Sequence, residues 1–279
     1  MKFLKYMLLI ITVVIAVSCA DTNAIYSEIL VDDSVDAPPV SSQFKKRVLI
    51  EDYTGTWCGN CTRVSYGIKK VMEQSDKAVA VAIHNGNDPF HFANIQPLKN
   101  LVSPNNDLQL PIARLNRTIV WTEPDTNVAQ VKNLTSNNCG LGLAMNSTVG
   151  EGTITLDVSV KFSQNYSNLR LVVYLLENKL IYKQEDYTTL YGLVFPQHVL
   201  QGFEHNHVLR TALTDLLGNQ LTGTTFDKTV TSNFTLPIPT NISNPENMSF
   251  VAFVVDENNN VINVRESKPN ETVELEENP

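Results

Sequence analysis

The stretch Val48-Leu49-Ile50-Glu51-Asp52-Tyr53-Thr54-Gly55-Thr56-Trp57-Cys58-Gly59-Asn60-Cys61 constrains this chain more than any other part of it. Val48, Leu49, Ile50 and Tyr53 read as a buried strand that stops at Gly55. From Cys58 to about Gln74 the pattern is helical, with Val64, Ile68, Val71 and Met72 on one face. A second apolar run, Ala78 to Ile83, follows after a few residues. Strand, helix and strand in so short a span predict a βαβ unit with a right-handed crossover, whose functional edge is the carboxyl end of the strands. The two cysteines fall on that edge.

Their spacing has direct chemical consequences. A cysteine at a helix N-terminus gains thiolate stability from the unpaired N–H groups and the helix dipole. A second cysteine three residues on lies within one turn and can attack a mixed disulfide. Cys58 is therefore the expected nucleophile and Cys61 the resolving thiol. Half of a zinc site and a static structural disulfide are the other readings of C-x-x-C, although no second C-x-x-C or nearby Cys/His pair follows at metal spacing. Asp52 lies in the strand six residues before Cys58. Strand alternation alone allows it, or Glu51, to face solvent.

Composition narrows the class. The chain has 279 residues, 43% of them hydrophobic and 18% charged, which excludes disordered and collagen-like proteins and leaves room for two domains. A net charge of -8 has the wrong sign for a polyanion-binding surface, so nucleic acid is not an expected partner. Four cysteines are too few for a disulfide scaffold in a chain of this length.

The N-terminus reads as an address. Lys2 and Lys5 precede an apolar run, Met7 to Val17, that is too short to span a bilayer, which takes roughly 20 apolar residues. Ala16-Val17-Ser18-Cys19 resembles a bacterial lipobox, which makes residues 1–18 a signal peptide and Cys19 a lipid-modified N-terminus; a plain secretory signal is the alternative. Residues 19–44 are polar, acidic and aperiodic, with Pro38-Pro39, and read as a tether.

Structure is expected from Lys45, in a first domain spanning 45–139. Between His84 and Gln109 the sequence is rich in Asn, Asp, Pro and His, too polar for core, and reads as a functional loop insertion near the site; His84 closes the second strand and His91 follows in the loop, where solvation is the expectation and polarising a thiol or meeting a ligand the alternative. Val128, Val131 and Leu134 predict a closing helix that ends near Asn138, and Cys139 reads as a small buried apolar residue. After Gly140 the texture becomes period-2: Thr153 to Phe162, Leu169 to Leu176, Thr229 to Leu236, and Phe250 to Val255 turning at Asn258-Asn259-Asn260 into Val261 to Val264. A mainly β, sandwich-like second domain over 140–279 is the expectation. His205 and His207, with His198 earlier, would share one strand face, but no third ligand stands at metal spacing; neither a metal nor a cofactor is expected.

The segment from Val48 to Cys61, with its W-C-G-x-C core of Trp57, Cys58, Gly59 and Cys61, resembles the active-site strand and motif of the thioredoxin superfamily. That resemblance implies an α/β thioredoxin-like first domain. It implies that Asp52 is a buried carboxylate relaying the proton of the resolving cysteine, and that Leu110-Pro111-Ile112 is a cis-proline strand whose Leu110 offers its backbone to a substrate. Gly59 and Asn60 would then border the substrate, with Asn60 where most thioredoxins carry proline. The lipobox, tether, redox motif and β half, with His205-Asn206-His207-Val208-Leu209-Arg210 and Phe250-Val251-Ala252-Phe253-Val254-Val255, resemble the twenty-eight-kilodalton outer-membrane-protein family of Bacteroidetes. The expectation is a cell-envelope, outer-membrane lipoprotein that exchanges its Cys58–Cys61 pair with protein thiols or disulfides and is held at the membrane by its lipid. The alternative is a surface binding or adhesion lipoprotein in which the disulfide is structural.

Overall fold

The computed structural model describes residues 43–105 and 108–278, which all belong to one compact unit. The expected signal peptide, Cys19 and nearly all of the tether lie outside these residues. The first half runs β1 (Val48–Thr54), α1 (Thr62–Gln74), β2 (Ala78–His84), α2 (Gln96–Val102), β3 (Ile112–Leu115), β4 (Ile119–Val120) and α3 (Val128–Asn133). The second half runs β5 (Leu141–Gly150), β6 (Thr153–Phe162), β7 (Arg170–Glu177), β8 (Leu180–Glu185), β9 (Val199–His205), β10 (Val208–Ala212), β11 (Asn219–Gln220), β12 (Thr229–Pro237), β13 (Met248–Val255), β14 (Val261–Ser267) and β15 (Thr272–Val273).

The fold is mostly β, with several sheets. A nine-stranded sheet has the order β14-β13-β7-β10-β2-β1-β3-β4, with β11 beside β7. β1 and β2 pair in parallel, Val48 beside Ala78 through Thr54 beside His84, and α1 makes the crossover between them. β3 lies antiparallel on the other side of β1, with Tyr53 opposite Ile112. The four-stranded sheet β12-β6-β5-β15 and the hairpin β8–β9 complete the architecture.

Alternation along the strands sorts the side chains into three cores. Val48 and Ile50 of β1 and Ala78 and Ala80 of β2 meet Val64, Ile68 and Val71 of α1. This core is built from the first half alone. Leu171, Val173 and Leu175 of β7 and Phe250, Ala252 and Val254 of β13 meet Leu143, Leu156 and Val158 of the four-stranded sheet, a core from the second half alone. The opposite face of the large sheet is shared: Leu49, Val79 and Ile83 pack in one cluster with Val172, Leu176, Val251 and Phe253. At about 1.5–3 kcal/mol per fully buried large apolar side chain, this common core is a substantial tie between residues 45–139 and 140–279. The sheet itself crosses between them where Val208 pairs with Ala82.

A buried ion pair lies on the shared face. Arg117, with a positive φ of 71°, directs its guanidinium to Glu51 Oε1 at 3.2 Å, to Tyr174 Oη at 2.9 Å and to the Leu216 carbonyl at 3.3 Å. Both side chains are fully buried.

Three expectations are corrected. Helix α1 starts at Thr62 and not at Cys58; residues 58–61 form turns, with Cys58 N donating to Gly55 O, Cys61 N donating to Cys58 O, and Cys61 as the N-cap. The 84–109 stretch is not wholly loop: α2 lies within it and buries Leu98 and Val102 in the shared core with Phe92 and Ile95. Leu98 and Val102, four residues apart, lie on one face of α2, and tertiary burial outweighed the polar composition around them. His205 and His207 do not share a strand face, because β9 ends at His205 and His207 turns the chain with φ of 60°.

Candidate redox site at the carboxyl edge of β1

Cys58 and Cys61 form a disulfide with a sulfur–sulfur distance of 2.04 Å, in the turns that lead from β1 into α1. Cys58 is 6% exposed and Cys61 is fully buried. The turn is anchored at its start by Asp88, whose Oδ2 accepts a bond from Thr56 N at 2.6 Å and faces His84 Nδ1 at 2.9 Å. Burial works against the charge on Asp88, but the bonds from His84, Thr56 and Phe90 hold its carboxyl below the usual range. His84 is thus a buried structural partner, while His91 is exposed. Trp57 leaves 46% of its surface exposed and donates its indole N–H to Asn85 O at 2.8 Å. The indole also covers Gly86, where φ is 83° and an added Cβ would stand 3.0 Å from Nε1, so a side chain there is strained.

Asp52 alternates with Glu51 and therefore belongs to the face covered by α1. Its carboxyl is buried, Oδ1 has no hydrogen-bond partner, and burial pushes it up to about 8. At neutral pH it is a protonated acid. Beside it opens a cavity of about 670 Å³ lined by Asp52, Ile68, Met72, Tyr191, Phe203 and His207. The Leu110–Pro111 peptide is cis, immediately before β3, where the register with β1 brings Pro111 to the end of that strand carrying the redox turn.

The second half supplies residues that sequence reading missed. Four consecutive residues at the end of β8 and just beyond hold the disulfide turn. Gln184 Nε2 donates to Cys58 O at 3.1 Å and to Gly55 O at 3.3 Å. Glu185 N donates to Thr56 O, and Tyr187 N to Gly59 O, each at 2.8 Å. Asp186 Oδ1 accepts from Thr62 Oγ1 at 2.8 Å, just after Cys61. They stand more than 120 residues from the cysteines in sequence, and a polar Gln-Glu-Asp run carries no local signal for such a role.

The histidines of the second half form an aromatic cluster. His205 packs its ring against His84, Phe90 and Phe203. Burial, then the neighbouring His84, push it down to about 4, so it is neutral at pH 7. His198 packs against Tyr187 and Phe195 beside the redox turn. Among the described residues, no three His, Cys, Asp or Glu side chains are grouped to hold a metal ion. Cys139 is a buried free thiol 3.2 Å from Leu141 O.

Comparison with known proteins adds three findings. The model of the family described as Outer membrane protein Omp28 matches residues 106–273, more than half of the chain. HBP35 of Porphyromonas gingivalis is a structural neighbour with a TM-score of 0.65 and 19% identity, over 82% of this chain and 77% of that one. A domain of the outer membrane lipoprotein Omp28 from Porphyromonas gingivalis aligns at 22% identity and a TM-score of 0.32, over 47% of this chain and 97% of the other. No curated protein matches.

Proposed function

This chain belongs to the Omp28 outer membrane protein family and so lies in the bacterial outer membrane, and from that location we propose that it is a thioredoxin-like thiol–disulfide exchange lipoprotein acting on protein thiols or disulfides of the envelope. The observation that carries the reading is the Cys58–Cys61 disulfide in the turn between β1 and α1, with the buried, protonated carboxyl of Asp52 in β1 itself. Anchorage through a lipid on Cys19 is part of the same proposal.

The chemistry balances without a cofactor. In the oxidised form, a substrate thiolate attacks Cys58 Sγ, the Cys58–Cys61 bond breaks, and Cys61 leaves as a thiolate that takes the Asp52 proton. A second substrate thiolate then attacks the mixed disulfide, which releases an oxidised substrate and leaves Cys58 reduced. In the reverse direction the Cys58 thiolate opens a substrate disulfide and Cys61 resolves it, returning its proton to Asp52. Trp57, Asn60 and the backbone of Leu110 beside Pro111 border the surface where a substrate would lie, while Gly59 is covered by Tyr187.

The test is reduction of insulin disulfides by the dithiol form, followed against Cys58→Ser. Turnover by the wild-type chain and none by the variant supports exchange. A disulfide that dithiothreitol cannot open, or a reduced form inert toward insulin and glutathione disulfide, makes the pair structural and leaves the surface-binding reading.

A further inference from the structure

The geometry points to Asp186 as a positioning residue that weakens the pull of α1 on the Cys58 thiolate and so biases the Cys58–Cys61 pair toward the disulfide. This inference rests on the exchange reading above. Asp186 is 1% exposed and sits at the N-terminal end of a 13-residue helix. Three donors converge on its Oδ1: Thr62 Oγ1 at 2.8 Å, Thr188 N at 2.9 Å and Thr188 Oγ1 at 2.7 Å. Thr62 Oγ1 also lies 3.1 Å from Gly59 O, so its single proton is shared between the two acceptors. Asp186 Oδ2 is buried without a hydrogen-bond partner.

Anions at a helix N-terminus draw on the same unpaired N–H groups and the same dipole. The α1 terminus therefore already faces a negative charge when Cys58 ionises, and the two anions repel across a buried, weakly screened space. Asp186 reaches this place because the backbone on both sides of it is tied to the redox turn, Glu185 N to Thr56 O and Tyr187 N to Gly59 O. The other titratable groups around the turn do not cancel its charge. Asp52 is protonated in the disulfide form; in the dithiol form of the mechanism above it is the carboxylate that has given its proton to Cys61, a second anion and not a counter-charge. Burial holds the Tyr191 phenol well above its ordinary range, with Asp186 and Asp52 adding to the effect. Arg63, in the first turn of α1, is committed to Asp125 at 2.9 Å. Tyr66 stacks on Tyr191 and Tyr187 on His198.

The equilibrium in question is protein disulfide plus two glutathione thiols giving protein dithiol plus glutathione disulfide. In the full chain, Asp186→Asn keeps an acceptor for Thr62 and Thr188 and removes only the charge. It should shift this equilibrium toward the dithiol by about tenfold and lower the pH midpoint for alkylation of Cys58. Thr62→Val removes the hydroxyl bond and keeps the charge, so it should shift the equilibrium less. An equal or larger shift for Thr62→Val, or no shift for Asp186→Asn in a chain whose wild type exchanges, overturns the inference and leaves the exchange reading intact. The wild-type protein tests it without any variant: Cys58 should alkylate with a midpoint above about 7.5, and a midpoint within the 3.5–7.5 range of activated helix-terminal thiols overturns the assignment. A wild-type pair that does not exchange at all overturns both.

Discussion

The ring of Tyr187 packs so closely on Gly59 that a Cβ added there would stand 2.4 Å from the ring carbons, while Tyr187 N donates to Gly59 O at 2.8 Å. The glycine between the cysteines is therefore a seat for the segment that follows β8. Gly59→Ala should displace Tyr187 and cost about 1–3 kcal/mol, the usual range for overpacking. Thermal unfolding measures the cost. The rate of disulfide reduction by dithiothreitol should rise in the same variant, since the segment seated on the turn between the cysteines is displaced.

The asymmetry between the cysteines predicts their order of reaction. Cys58 retains a small exposed surface and Cys61 none, so a partner reaches Cys58 first. Cys61→Ser should accumulate mixed disulfides with envelope proteins, and Cys58→Ser should not. Non-reducing electrophoresis after acid quenching distinguishes them. Equal trapping by the two variants would reverse the proposed roles.

Asp52 links the site to stability. Its carboxyl is raised to about 8 in the folded protein, from an ordinary value of 3.8. Between these values the folded state binds more protons than the unfolded state, so the Asp52 contribution is present in full only below about pH 4 and declines as pH rises to about 8. Asp52→Asn should stabilise the protein at pH 7 by ~2–4 kcal/mol and make little difference at pH 4. Denaturant titrations at the two pH values measure this. If Asp52 is the proton acceptor of Cys61 as proposed, the same variant should slow resolution of the mixed disulfide by about 10²-fold or more while sparing its formation.

Arg117 and Glu51 form a pair whose separation leaves a bare charge in the shared core. Arg117→Met should destabilise the fold by about 3–5 kcal/mol by leaving Glu51 buried without its partner. The double variant Arg117→Met with Glu51→Gln should recover part of that loss, as read from chemical denaturation. Because Arg117 also bonds Tyr174 and Leu216 O, its loss should loosen both halves together. Unfolding of one half alone would contradict the shared core.

Much of the molecule was legible in residue order because its signals are local. The strand before Gly55, the helix face of Val64, Ile68 and Val71, and the period-2 runs of the second half all arise from spacing that one element imposes on itself. The C-x-x-C pair belongs to this class, since three residues of separation suffice to bring the sulfurs together. The buried face of α2 was also written there, and was hidden by the polar residues around it.

Other features depend on contacts that no local spacing encodes. Whether Asp52 faced solvent or core was settled by burial of both faces of β1, through α1 on one side and a core shared with the second half on the other. Gln184, Asp186 and Tyr187 became part of the redox turn only because β8 and β9 fold back over it. The sequence by itself determined the local elements around the two cysteines and their pairing, because those follow from short-range geometry. The tertiary structure alone decided the surroundings of those thiols, because burial and charge proximity are set by segments more than a hundred residues away.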